Sequence, residues 1–390
     1  MSGKLNFVKS TLKDGVTPQT LYIDKGAAGA IAGDLKERGS KRVLFISNKT
    51  IFDYRSVENV INKYNEAGLR TFKYQRRNIV ADTRDIDAAL STYKEYNCDT
   101  IVVIGNRYDI AVAKMVAVCN TNPDKATSYE GIGNIKYDIK TLVAIEVDNT
   151  PAASMPECSF YDHESGRWYT CFSQIMLPHI VVIDSDMMMR NNSDMASFSA
   201  LNALCVAIEA YLSPWAANYP DYKADAAVAI YKVFGRLNNL MADKVDGYLQ
   251  TKVATGGFYA GLSTTRLGFG YTYFIMHHMQ LKYNCDYGAG MGRILVGVLR
   301  ELMEFYAEDI AELARSQHFC TTSLDTVSAA QSFIESVGDI YKKNMPDYQV
   351  PMMTPEDCQK IAEDTRRSLA EFGYLPRITT DRLVNILRTL

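Results

Sequence analysis

The sequence predicts an α/β N-terminal domain built on a mainly parallel sheet, followed by an all-α C-terminal domain. Three observations lead there. Short β-branched runs alternate with amphipathic helical stretches through the first half of the 390-residue chain. Strand signals stop near residue 190. Beyond that point apolar residues recur at helical spacing as far as "DRLVNILRTL".

"RVLFIS" (42–47) and "TIVVIG" (100–105) read as buried strands, each followed by a polar helical stretch. "VENVINKYNEAG" and "IDAALSTYKEYN" place apolar residues three and four apart, the mark of a helix with one buried face. "TLVAIEV" (141–147) and "HIVVIDS" (179–185) add two more strands. Strands separated by helices need crossover connections, hence parallel pairing with helices on both faces. Ligands in such sheets sit beyond the carboxyl ends of the strands, so the turn after Gly105 is the first place to look for one. In "NNSDMASFSALNALCVAIEAYLS", Asn and Ser stand ready to cap a long apolar helix. The expected domains are a Rossmann-like, nucleotide-binding-type domain over 1–190 and a helical domain over 191–390, joined at "DSDMMMRNNS" (184–193). A small-molecule ligand is expected in the cleft between them.

The chain is 47% hydrophobic and 22% charged, with a net charge of −3, which gives no electrostatic reason to expect nucleic acid or an anionic membrane. The short basic run "YQRR" (74–77) reads as a solvated face. Eight cysteines stand at 98, 119, 158, 171, 205, 285, 320 and 358 with no C-x-x-C spacing, which fits a reducing compartment better than a disulfide framework or zinc site. No apolar run reaches the ~18 residues of a membrane span, and "MSGKLNFVKSTLKDG" lacks the apolar core of a signal peptide. A soluble cytoplasmic protein is expected.

Several segments, in order, resemble the iron-containing (group III) alcohol dehydrogenase family, which has the dehydroquinate-synthase-like fold. "YIDKGAAGAIAGDLKERGSKRVLFIS" is similar to the family's opening, and "CDTIVVIG" with the following A-K-M-V-A to its cofactor strand and helix. "LPHIVVIDSDMM" resembles its domain junction and "LNALCVAIEAYLS" its metal-ligand helix. "AGLSTTRLGFGYTYFIMHH" and "DYGAGMGRIL" match the segments that carry its remaining ligands, and "LPRITTDRLVNILR" its closing helix. The resemblance implies an oxidoreductase using NAD(P) and a divalent metal, with pairing through the edge of the α/β domain as a possible homodimer.

The family's functional motifs are not kept. Its phosphate loop G-G-G-S-x-x-D falls on Gly105, Asn106, Arg107, Tyr108, Asp109, Ile110 and Ala111, where side chains obstruct the approach of a pyrophosphate to backbone N–H groups. Arg107 offers a planar fork that can hold an anion instead. The second cofactor segment, P-T-T-x-G-T-G-S-E, falls on Glu146 through Ser154 and sets carboxylates where phosphates would lie. Asn48 takes the place of the acid that faces the adenosine ribose, and its amide can still bond a hydroxyl. The candidate cofactor-binding residues are therefore Asn48, Gly105, Asn106 and Arg107.

The family's four metal ligands fall on Asn202, Val206, Tyr273 and Tyr287. Val206 has no lone pair, Asn202 no carboxylate, and neutral tyrosines are poor ligands beside imidazole. No metal is assigned, and iron or zinc is not expected. A rearranged site drawing on Cys205, Cys285, Asp286, His277 and His278 is an alternative, set against the usual role of cysteine as a small buried hydrophobe. Glu209 lies on the same helix face as Asn202, as a structural acid or as a general base. The candidate catalytic residues are Tyr273, His277, Tyr287 and Asn202, with simple filling of the vacated volume as the competing reading. "GAGMGR" (288–293) follows no strand and reads as close helix packing. Two functions are expected from these residues. One is a divergent family member that has lost metal-dependent hydride transfer and serves a ligand-binding, regulatory or assembly role. The other is a metal-independent oxidoreductase, NAD(P)-linked and alcohol/aldehyde dehydrogenase-like, or another enzyme acting on a small polyol or carbonyl compound.

Overall fold

The computed structural model describes residues 7–8, 19–188, 193–237, 247–285, 287–344 and 350–390. The residues group into two compact units, one of 1–191 with 246–261 and one of 192–245 with 262–390.

The first unit is built on a seven-stranded sheet. Its strands are β1 (Phe7–Val8), β2 (Thr20–Ile23), β3 (Arg42–Asn48), β4 (Arg70–Arg76), β5 (Thr100–Gly105), β7 (Thr141–Glu146) and β10 (Ile180–Ile183), in the order β1-β2-β10-β7-β5-β3-β4. Only β1 runs antiparallel to its neighbour. Helices α1 (Ala27–Glu37), α2 (Lys49–Phe52), α3 (Arg55–Glu66), α4 (Thr83–Glu95) and α5 (Arg107–Thr121) make the crossovers. A smaller sheet of β6 (Gly131–Ile132), β9 (Arg167–Phe172) and β8 (Glu157–Asp162) completes the unit. The predicted strands at 42–47, 100–105, 141–147 and 179–185 all form, because β-branched runs of that length bury both faces between helices.

The central strands run inward as continuous apolar rows, and α1 and α3 cover one face through Ile31, Leu35, Val57, Val60 and Tyr64. The ring of Tyr64 meets Phe45 of β3 edge-on at 4.9 Å. Register fixes the carboxyl ends: Asn48 lies opposite Arg76, and Gly105 opposite Glu146.

One reading is corrected here. The basic run 74–77 is only in part a solvated face: it ends β4, where Gln75 and Arg77 are exposed but Tyr74 and Arg76 are buried. An edge strand with few apolar residues gives no periodic signal, and a buried arginine is rare enough to be misread.

The second unit is helical: α6 (Ser193–Tyr211), α7 (Pro220–Phe234), the end of α8 (Gly247–Leu267), α9 (Tyr271–Tyr283), α10 (Met291–Ser316), α11 (Thr326–Asn344), α12 (Pro355–Glu371) and α13 (Thr380–Leu387). The glycines of "GAGMGR" serve packing, as expected. A Cβ on Gly292 would lie 2.7 Å from the Tyr341 side chain, and one on Gly288 2.0 Å from the Phe198 ring. Among the described residues no helix is long and apolar enough to cross a membrane.

Within the first unit, the turn of α8 bearing Gly257 and Gly261 lies directly on the loop after β7. A Cβ on Gly257 would stand 2.4 Å from the Asn149 carbonyl oxygen, and one on Gly261 2.5 Å from that of Pro151. Backbone cannot swing aside as a flexible side chain does. Gly257→Ala is therefore predicted to cost about 1–3 kcal/mol through overpacking. Gly33→Ala, in α1 with nothing near its Cβ, is predicted to stabilise by about 0.5–1 kcal/mol. Urea unfolding of both variants checks the pair, and equal midpoints would contradict the close approach.

Candidate functional site

At the carboxyl end of β5 the chain turns into α5 through Gly105 and Asn106. Asn106 caps α5, its side chain accepting from the N–H of Tyr108 at 3.0 Å and of Asp109 at 3.4 Å. Asp109 returns the bond, its Oδ2 accepting from the Asn106 N–H at 3.1 Å. This is a capping box, and it engages the backbone donors that a phosphate would need.

The same Asp109 carboxylate accepts from Arg76 Nε at 2.7 Å and from Asn48 Nδ2 at 2.9 Å. Both members of the Arg76–Asp109 ion pair are almost wholly buried. Burial raises the Asp109 carboxyl above its usual range, while Arg76, Asn48 and the Asn106 N–H draw it back down. Asn48 is held at its other end too, its Oδ1 accepting from the Ile51 N–H at 3.1 Å. Arg107 places its guanidinium 5.2 Å from the centre of the Tyr108 ring. Asn48, Gly105, Asn106 and Arg107 are thus neighbours at the carboxyl ends of β3 and β5. The residue missed by sequence reasoning is Arg76, for which only the register of β4 against β3 supplies a signal.

Beside this turn lies more buried charge. Glu146 is fully buried and, among the described residues, neither carboxylate oxygen has a hydrogen-bond partner, so desolvation pushes it well above the ordinary carboxyl range. Asp148 is pushed up to about 6 by burial. Lys114 donates to the carbonyls of Ala152, Met155 and Glu157 at 2.6, 2.7 and 3.1 Å, and burial lowers it to about 8. Nicotinamide dinucleotide, the cofactor implied by the resemblance, does not fit this turn in the family's manner. The space over Gly105 is filled by Asp109, whose Cβ and Oδ2 stand 2.3 and 2.5 Å from where a Gly105 Cβ would be.

In the helical unit, α9 begins at a turn that Glu209 of α6 closes. Its carboxylate accepts from the N–H groups of Thr272 at 2.6 Å and Tyr273 at 3.1 Å, and a Cβ on Gly270 would fall 2.4 Å from its Cδ. Glu209 therefore caps α9, the structural role among the two expected. From that fixed turn Tyr273 and His277 project one helical turn apart, their rings nearly parallel with centres 6.1 Å apart. Tyr287 meets Tyr273 edge-on at 5.8 Å, and Phe269 stacks on Tyr273 at 4.3 Å. The three predicted ring side chains converge and are all buried. Asn202 and Val206 are buried one turn apart on α6.

A divalent metal finds little to hold it here. Among the described residues no group of three or more His, Cys, Asp or Glu side chains converges. Cys205 is buried with its thiol pushed well up by desolvation, and burial lowers His278 to about 4 while its Nε2 lies 3.0 Å from Ser368 Oγ. Asp286, the acid of the alternative site, lies outside the described residues.

With the geometry in view, the chain can be placed. The model of the iron-containing alcohol dehydrogenase matches residues 18–185, and that of the C-terminal part of the Fe-containing alcohol dehydrogenase family matches 196–390. The chain belongs to the iron-containing alcohol dehydrogenase family. Lactaldehyde reductase of Escherichia coli (strain K12) is 24% identical over 322 residues, covering 82% of this chain and 83% of the relative. NAD-dependent methanol dehydrogenase of Bacillus methanolicus is 22% identical over 371 residues, 93% of this chain and 95% of the relative. The crystal structure of a 1,3-propanediol oxidoreductase superposes with a TM-score of 0.86 at 18% identity, covering 99% of this chain and 100% of that one. Sulfoacetaldehyde reductase from Bifidobacterium kashiwanohense, solved in complex with NAD+, gives 0.84 at 18% identity, covering 97% and 98%. Within that family, this member shows no metal-ligand cluster among its described residues and carries Gly105-Asn106-Arg107-Tyr108 at the turn after β5.

Glu209 yields a pH prediction. Burial raises its carboxyl from an ordinary 4.5 to about 7. Between those values the folded chain binds the extra proton, so its contribution to stability is full below about 4.5 and is lost as pH rises to about 7. Glu209→Gln cannot titrate. The stability difference between wild type and variant, measured by urea unfolding, is predicted to shift toward the variant across that window. A difference constant with pH would contradict the buried carboxyl.

Proposed function

We propose that this family member acts on a small polyol or carbonyl compound as a metal-independent oxidoreductase of the alcohol/aldehyde dehydrogenase type. The observation that carries the reading is the convergence of Tyr273, His277 and Tyr287, three proton-bearing side chains at three positions where the family has histidines. A tyrosine hydroxyl or an imidazole N–H can give a proton to a carbonyl oxygen as hydride reaches the carbon, and recover it when an alcohol is oxidised. The redox partner of the class is NAD in the relatives named for it. Its pyrophosphate does not fit the first turn of α5, where Asp109 lies over Gly105. Proton donors replace only part of the several kcal/mol that Lewis-acid polarisation supplies, and slow turnover is part of the proposal.

One observation favours a second reading, a ligand-binding, regulatory or assembly role without hydride transfer. The donors at the start of α5 are already engaged within the chain. Both readings keep a small-molecule ligand, a cytoplasmic setting and a possible homodimer.

Titration with NADH and NADPH, followed by turnover of short aldehydes and by elemental analysis of protein purified without chelators, separates the two. The oxidoreductase reading predicts saturable nucleotide binding and turnover without stoichiometric metal. It also predicts that Tyr273→Phe or His277→Ala lowers kcat by about 100-fold or more, the usual worth of a positioned proton donor. Absence of binding and turnover leaves the non-catalytic role.

A further inference from the structure

We infer that Asp109 is an in-chain anion occupying the position where this fold would receive a ligand's phosphate, and that Arg76 holds it there, closing the carboxyl end of β5 to phosphorylated ligands. The inference concerns only the turn at the start of α5. A redox nucleotide used by the proposed reaction has to bind with its phosphates away from this turn, so nucleotide turnover and the anion response tested below report on different claims.

A phosphate at a helix N-terminus is bound by backbone N–H groups, by a guanidinium or ammonium group, and by polar side chains from neighbouring strands. Asp109 has one of each: the Asn106 N–H at 3.1 Å, Arg76 Nε at 2.7 Å and Asn48 Nδ2 at 2.9 Å. These groups come from the carboxyl ends of three adjacent strands, β5, β4 and β3, with Asn48 and Arg76 in direct register. Arg76 is fixed on its outer side by donation to the carbonyls of Asn78 and Ile79, the latter at 2.8 Å. Arg76 and Asp109 are buried and held within the chain before any ligand arrives, while Asn48 and Asn106 stay partly exposed.

Gly105 fits the same account. In this chain its missing Cβ admits the Asp109 side chain, which approaches within 2.3 Å of where that atom would stand. A phosphate would have to displace a buried, charge-paired carboxylate. It would also meet Asp148, whose carboxyl is raised first by burial and further by the negative charge of Asp109.

The prediction is one of chemical rescue. Asp109→Ala leaves Arg76, Asn48 and the Asn106 N–H around an empty anion-sized hole. Formate, acetate or inorganic phosphate is expected to raise the melting temperature of that variant saturably, beyond the effect of chloride at equal ionic strength. The unaltered protein is expected to respond to none of them beyond chloride, and the double variant Asp109→Ala/Arg76→Met is expected to lose the response. If Asp109→Ala fails to fold by itself, the same anions are expected to recover folded protein on refolding. No anion response in Asp109→Ala by either measurement would overturn the inference, as would a response that survives removal of Arg76. Saturable binding of pyrophosphate to the unaltered protein, weakened by Arg76→Met, would overturn it as well.

Discussion

Helix N-termini leave several backbone N–H groups without partners, and something must accept from them. Here carboxylates of the chain do so at three telling places. Asp184 accepts from the N–H groups of Gly26 and Ala28 at the start of α1, both at 2.9 Å. Asp109, with Asn106, closes the start of α5, and Glu209 closes the start of α9. Oxygens supplied by the chain stabilise each turn and leave it less to offer an anionic ligand. The α/β unit and the helical unit are tied down by the same electrostatic device.

Glycine follows the carboxylates. Gly105 is open so that Asp109 can lie across it, and Gly270 is open so that Glu209 can reach α9. In a phosphate-binding loop the lack of a Cβ lets a ligand approach the backbone; here it lets another part of the protein approach. The same residue type thus serves opposite ends, and the deciding fact is which atoms fill the space.

Buried charge at the carboxyl ends of β5 and β7 has a further cost that the fold tolerates. Arg76 and Asp109 neutralise one another, and Lys114 is satisfied by three carbonyls, but Glu146 has no hydrogen-bond partner among the described residues. A carboxyl so placed is held in its neutral form by desolvation. The strand ends therefore present a chemical face unlike that needed to grip a pyrophosphate. In the helical unit the candidate residues are instead neutral aromatic rings packed in contact.

By itself the sequence determined the four apolar strands at 42–47, 100–105, 141–147 and 179–185, the change to helices near residue 190, and the absence of a metal-ligating side chain at Val206 and of a carboxylate at Asn202. Those are local properties: periodicity follows from which face is buried, and a valine cannot coordinate in any setting. Tertiary structure alone decided that Arg76 belongs to the site, because pairing it with Asp109 requires a strand register linking residues 33 positions apart. It likewise decided that Glu209 caps a helix and that Asp109 lies over Gly105. Burial and hydrogen-bond partnership are properties of the assembled chain, and no window of residues carries them.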